Sequence, residues 1–550
     1  MKKCLIFLVL SIYFAAGRPI PAGAPPPVGL QLPGMQPTAA RIQARQILEW
    51  LYQGQPDSAL TRARAFVADN PGEPLPLLIT ARVMRETLSD QDDEKKLIEE
   101  DARPIIAILE QAIEICDKQL DSDGGDGRAL FYRGWAWMFK AQLDALSANY
   151  WSAGRCSKKG KNDLDKYLKL HPGDPDASGM LGTFLYFADT LPTVIKIIKT
   201  IFLIPGGDKE RGIDLLRYAS SQDAMLSIDH EIILSAVFTI FEGRFEEGVH
   251  SFSSLLLRYP AYLRLVEPLG VLTTLEPREI REFQALQANA LERHLEHNPG
   301  AVDWPTIHRI SYHRSYSAML YNPPTQAIEA FKTLIADSPR RPDWLMPLSM
   351  INLGMLYANT AQREKAEKMF TAVLLDKRME RFHDEAEKML ESLDDNTGKL
   401  TGIFPQLVTA LYDGDIEQGR FLLGAFKRSA GETVYYDFYD GDLELIAGNR
   451  EAAERSYRRA LDRDVPEYAQ IYQMLAASRL AEFYGTGHDF ETAESLLEEA
   501  LQYYHKEFLI DMLLKGRKRF YQYHAEHASD PDSTVPLPGT GQRLPASLLR

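Results

Sequence analysis

The chain has 550 residues, with 62 basic and 77 acidic side chains and a net charge of −15. Apolar residues make up 45% and charged residues 25%, which excludes a largely disordered chain, a collagen-like chain and a multi-span membrane protein. The acidic surplus argues against non-specific nucleic-acid binding, which needs clustered Lys and Arg, and the length calls for several domains or one repeat array.

Residues 1–17 read as a signal peptide. Lys2 and Lys3 form a positive start, Cys4 to Ala16 is an apolar stretch too short for a comfortable span, and Ala15-Ala16-Gly17 supplies small residues for cleavage. An uncleaved membrane anchor is the alternative. Residues 18–38 are dense in Pro and Gly, which predicts a flexible or polyproline-type linker, and residues 528–550 read as a similar disordered tail. The exported compartment permits one disulfide between the remaining cysteines, Cys116 and Cys156; separate buried thiols on neighbouring helices are the other option.

Between the two tails the pattern is helical, with no β-branched run alternating with polar residues. A spacing recurs along it. A small residue is followed four positions later by a large apolar one and three later by a second, mostly small residue, often with a proline five further on. Ala59 and Pro71 mark a degenerate copy. Gly212, Leu216 and Ala219 fit, as do Gly248, Phe252, Leu255 and Pro260, then Ala327, Phe331, Leu334 and Pro339. Ala366, Phe370 and Val373 follow Leu353, Gly354 and Tyr357; Ala453, Tyr457 and Ala460 come next; Ala493, Leu497 and Ala500 follow Leu480, Ala481 and Tyr484. Small residues let two antiparallel helices approach, the large residue fills the gap and the proline stops the second helix. One hairpin leaves a face uncovered, which the next hairpin covers.

The register resembles the tetratricopeptide repeat, most closely at Met350, Leu353, Gly354, Tyr357, Ala366, Phe370 and Val373. The resemblance covers roughly residues 40–525. It implies an all-α fold, an α-solenoid of stacked antiparallel helix hairpins in a right-handed superhelix. Arg133-Gly134 with Trp137, and Leu181-Gly182 with Leu185, look like first helices whose second helices have drifted. Residues 125–260 are similar to the long, irregular repeats of exported bacterial tetratricopeptide proteins. The expected organisation is degenerate repeats at 39–190, an apolar insert at 191–207, central repeats at 208–400 and C-terminal repeats at 401–527. The insert carries Lys196 and Lys199 between Pro192 and Pro205, so it suits either an extra core helix or a helix at a lipid surface.

The chain carries no HExxH, GxSxG, P-loop or EF-hand pattern, and no catalytic, cofactor or metal residue is assigned. Asp121 to Asp126 reads as a turn between helices, His308 and His313 as surface or interface histidines, and Asp440, Asp442 and Glu444 as a solvated acidic face. The register places Phe131, Trp135, Met138 and Phe139, then Arg309, Tyr312, Tyr316 and Met319, then Tyr435, Phe438 and Asp442 on the inner helices. Tyr, Trp, Phe and Arg are enriched at interfaces. Arg309, Tyr312, Tyr316, Tyr435, Phe438, Phe131 and Trp135 are therefore the candidate lining of a groove; core packing on neighbouring helices is the other placement for them.

The expected function is an exported, non-enzymatic scaffold of the bacterial envelope, periplasmic or secreted, that binds a peptide or protein partner without nucleic acid or cofactor. The alternatives are a groove that binds or acts on a small molecule or glycan, and a peripheral membrane component docking through residues 190–207.

Overall fold

The computed structural model describes residues 38–86, 95–147, 149–190, 207–266, 280–297, 304–336, 343–360, 362–393, 403–503 and 508–527. The expected signal peptide, the Pro-rich linker up to residue 37, the insert at 191–206 and the C-terminal tail from residue 528 lie outside them. Among the described residues there are 23 α-helices and no strand.

The chain divides into two compact units. The first comprises residues 1–236, 250–265 and 292–302; the second comprises 237–249, 266–291 and 303–550. A break in helix type marks one crossing point: α-helical hydrogen bonding ends at Ala236, and Val237–Phe241 form a π-turn. The helices on either side of residues 191–206 belong to the first unit, and Gly182 and Gly212 pack them as one hairpin.

The first unit contains α1 (Ala39–Tyr52), α2 (Pro56–Asp69), α3 (Pro74–Glu86), α4 (Lys95–Ser122), α5 (Gly127–Leu146), α6 (Tyr150–Leu170), α7 (Pro175–Thr190), α8 (Lys209–Ser221) and α9 (Ser227–Ala236). Short polar residues start many of these helices. Asp126 accepts from the Arg128 and Ala129 amides at the head of α5, and Asp208 accepts from Arg211 at the head of α8. The turn between the two helices is residues 123–126, while Asp121 and Ser122 close α4.

The small residues lie at the seams. A β-carbon on Gly134 would sit 3.0 Å from Leu164 Cγ, and one on Gly160 would sit 2.9 Å from the Gly134 carbonyl. Gly160, Leu164, Tyr167 and Pro172 are thus the second-helix register that belongs to Gly134. In the next hairpin, a β-carbon on Gly182 or Gly212 would lie 2.8 Å from the other glycine's carbonyl. The two glycines therefore pair although 30 residues separate them in sequence. Leu181, Phe184, Leu185 and Ala188 of α7 form a core with Met138 of α5, Leu168 of α6 and Leu215 of α8. The α7–α8 hairpin is thus packed against the α5–α6 hairpin before it, as solenoid stacking requires.

In the second unit the hairpins are α12 (Trp304–Tyr321) with α13 (Pro324–Ala336), α14 (Leu345–Asn359) with α15 (Arg363–Leu375), α17 (Phe404–Tyr412) with α18 (Ile416–Ala430), α19 (Val434–Ile446) with α20 (Arg450–Leu461), and α21 (Gln470–Thr486) with α22 (Phe490–Ala500). The short α16 (His383–Glu391) follows α15, and α23 (Phe508–His527) covers α22. Two further helices, α10 (Phe245–Arg258) and α11 (Ile280–His297), have residues assigned to both units. Any side chain on Gly354 would collide with the Phe370 ring, and any on Gly441 with the Tyr457 ring. The register residues Ala327, Phe331, Ala366, Phe370, Val373, Ala453, Tyr457, Ala460, Ala493, Leu497 and Ala500 are all fully buried. The helices thus pair as antiparallel hairpins with small residues and rings at their seams, an α-solenoid arrangement within each unit.

Candidate functional site

The aromatic residues expected to line a groove are core. Phe131 and Trp135 on α5 are buried; the Phe131 ring lies 5.1 Å from Tyr167, with the Arg41 guanidinium over it at 4.9 Å. Tyr312 and Tyr316 on α12 are 1% and 2% exposed. Asn352 donates to Tyr312 Oη at 2.9 Å, and the Tyr312 ring meets Trp344 edge-on at 5.4 Å. Phe438 is sealed between Tyr472 at 5.4 Å and the Arg479 guanidinium at 5.1 Å. Tyr435 is buried and donates to Asn359 Oδ1 at 2.6 Å. Arg309 is half-buried and donates to Thr306 on its own helix at 3.2 Å. The reason is stacking: the inner face of each first helix packs on neighbouring helices, and large rings fill that seam. Phe131 and Trp135 belong to the first unit and the other five to the second.

The acidic face expected at Asp440, Asp442 and Glu444 is also not solvated. Asp442 is fully buried, with Arg479 Nε at 2.6 Å from Oδ1. Tyr457 Oη donates to Oδ1 at 2.6 Å, Tyr412 Oη donates to Oδ2, and Arg479 also donates to Tyr321 Oη at 3.2 Å. Burial, with the Asp442 charge second, pushes the Tyr412 and Tyr457 phenols well above their ordinary range, so both stay neutral donors. Asp437 is held by Arg459 at 2.8 Å and Arg463 at 2.7 Å. Asp440 accepts from Ser456 at 2.6 Å, and Glu444 pairs with Arg420.

The first unit has an equivalent. Arg82 and Asp229, both fully buried, meet at 3.0 Å, and Arg82 also reaches Glu86 at 3.0 Å. Tyr262 donates to Glu86 at 2.9 Å. Nearby, Asp174 accepts from Arg41 at 3.1 Å and from Tyr167 at 2.8 Å, while Asp176 accepts from the Leu226 amide at 2.8 Å. Sequence reading misses these groups because the partners are far apart: Arg82 and Asp229 are 147 residues apart. Asp442 and Arg479 are 37 apart, about one repeat step, and that spacing was the available signal. The arrangement fixes helices against one another.

His308 and His313 are buried rather than at the surface. Burial, then the neighbouring Arg309 charge, lowers His313 to about 3, and burial lowers His230, whose ring fills the space left by Gly179, to about 4. Burial raises Asp176 to about 6 against the pull of Arg41. The two histidines give stability that is full above pH 6.5 and lost as pH falls toward 4 and 3. Asp176 runs the other way: its contribution is present below pH 3.8 and lost as pH rises through 6. Burial raises Asp229 as well, which runs with Asp176, but the histidines carry the larger shifts over this interval; the melting temperature should therefore fall on acidification from pH 6.5 to 4, and His230→Phe should flatten that fall. A melting temperature that climbs over this interval would contradict it.

Cys116 and Cys156 are free thiols, both buried, on α4 and α6. Burial pushes Cys116 up to about 12 and raises Cys156, which makes both poor nucleophiles. Among the described residues no cluster of three or more His, Cys, Asp or Glu is placed to hold a metal, and no helix is long and apolar enough to cross a membrane.

No family model matches the chain, and no curated protein matches it. Among solved structures, the chain is similar to the human IFIT1 dimer with PPP-AAAA at 12% identity and a TM-score of 0.29, covering 78% of this chain and 91% of that one. It is similar to the APC/C hetero-tetramer Cut9-Hcn1 at 14% identity and 0.24, covering 90% and 95%, and to yeast Tom70 at 12% and 0.18, covering 90% and 97%. Scores this low fix no residue correspondence, and the fold rests on the seam geometry above.

Proposed function

We propose that the chain is an exported helical-repeat scaffold that binds a peptide or protein partner in cell-envelope assembly and performs no chemistry of its own. The observation that carries this reading is where the charged groups go. Asp442, Asp437, Asp229 and Asp174 are each held by arginine or tyrosine inside the protein, and their role is to lock helices. An enzyme would need such groups to converge on a substrate, in a concave site with reactive atoms left available. Stacked hairpins with locked seams suit presentation of an extended surface instead. Export rests on Lys2, Lys3 and the apolar stretch that follows them.

Crosslinking in the native envelope, then purification of the chain, tests the reading. One protein should be retained at a fixed ratio, and the contact should map to exposed side chains such as Phe421, which is 65% exposed on α18. Retention of only a glycan or small molecule, or of nothing, would sink it.

A further inference from the structure

We propose that the outer face of α6 is a docking surface for anionic lipid, a site separate from the partner-binding role above. One side of α6 is buried through Ala153, Cys156, Gly160, Leu164 and Tyr167. The opposite side exposes Trp151, Arg155, Lys159, Lys166, Lys169 and Leu170. Successive spacings of four, four, seven and three keep the row from Trp151 to Lys169 on one helical face. At about 1.5 Å per residue the cations from Arg155 to Lys169 span about 21 Å in a straight row.

Among the described residues, no carboxylate forms an ion pair with these cations. Both carboxylates of α6 are occupied elsewhere, Asp163 by Arg133 at 2.7 Å and Asp165 by Lys161 at 2.5 Å. Among the described residues, no ion pair involves Arg155, Lys159, Lys166 or Lys169; Lys159 instead lies over the Trp137 ring at 4.0 Å. On a chain with a net charge of −15, a row of four unpaired cations is a local inversion of sign. Large apolar groups stand at its two ends: Trp151 is 51% exposed and Leu170 is 53% exposed.

The occupant follows from shape and charge together. A helix ridge meets a plane along its whole length, so an anionic bilayer surface can engage every cation at once. A bound peptide would need walls to bury its side chains, and a convex ridge has none to offer. Each Lys or Arg near an anionic leaflet adds to the attraction, and tryptophan settles at the headgroup level. The row is thus a weak electrostatic anchor with an aromatic foot.

The test uses the purified full chain and vesicles of phosphatidylglycerol with phosphatidylethanolamine, against vesicles of phosphatidylcholine. Wild type should sediment with the anionic vesicles alone and be released by salt. Replacing Arg155, Lys159, Lys166 and Lys169 by Glu should weaken binding at least tenfold, and Trp151→Ala severalfold, with the melting temperature lowered no further than loss of the Lys159–Trp137 contact requires. A charge-matched control replaces Lys368, Lys377, Arg428 and Arg455 by Glu and should bind as wild type within about twofold. Equal loss in the control reduces the effect to net charge and overturns the site. So does unchanged binding of the α6 variant, or failure of wild type to bind. Loss only on Lys196→Glu with Lys199→Glu would move the contact to the insert and overturn it too. Preference for polyglutamate or duplex DNA over vesicles would assign the row to another occupant. Capture of the protein partner should be untouched by the α6 variant, which keeps this inference separable from the scaffold reading.

Discussion

Asp442→Ala should destabilise the second unit by about 3–5 kcal/mol, read as a loss of unfolding free energy in urea. The substitution leaves Arg479 as a fully buried cation without its counter-charge. It also strips the acceptor from Tyr412 and Tyr457, whose hydroxyls both point at the carboxylate. An uncompensated buried charge costs far more than the pair contributes, because two ions must first be taken out of water and their attraction then only repays that cost. The pair's net worth is therefore small while the cost of halving it is large. Asp442→Leu combined with Arg479→Met should consequently be much closer to wild type than Asp442→Ala alone. Tyr412→Phe and Tyr457→Phe, which each remove one donor to a buried carboxylate, should cost about 1.5–3 kcal/mol apiece. If the double replacement is as damaging as Asp442→Ala, the cluster acts through packing, and the electrostatic account is wrong.

The hairpin seam was readable because steric rules act at fixed spacing. Gly354, Ala366 and Phe370 are in register, and the closed structure shows why: no side chain fits at Gly354 beside the Phe370 ring. The pair Gly134 and Gly160 obeys the same rule, but its members are 26 residues apart instead of 12. The extra 14 residues are about four helical turns, two in each of α5 and α6, so the faces still match although the linear spacing does not. Lengthening of that kind hides a repeat from spacing while leaving its packing intact. The aromatic residues failed for another reason. Residue type at an inner position does not distinguish a groove from a seam, since rings serve both; only the neighbouring helix decides. Asp442 and Arg479 could have been paired from their repeat-length separation, but Arg82 and Asp229 answer to tertiary structure alone.

Tyr312→Ala is the substitution that separates groove from core most cleanly. The Tyr312 ring packs against Trp344, Phe331 and Tyr316, with centroids 5.4, 6.3 and 6.2 Å away. Truncation would leave a cavity that rigid helices cannot collapse into, at a cost of about 3–5 kcal/mol. The hydroxyl adds a smaller part. Asn352 donates to it at 2.9 Å in a buried position, so Tyr312→Phe leaves that amide without an acceptor, at about 1–3 kcal/mol. The expected order of melting temperature is therefore wild type, then Tyr312→Phe, then Tyr312→Ala, with Tyr316→Ala close to the last. A groove residue would behave differently: exposed rings contribute to a partner's affinity and little to folding, so truncation would leave the melting temperature alone and weaken binding. Any binding defect in Tyr312→Ala should instead track the unfolded fraction and recover at temperatures where the variant is folded. If the variant melts with wild type, the ring is dispensable to the core, and Tyr312 and Tyr316 return to the candidate binding surface.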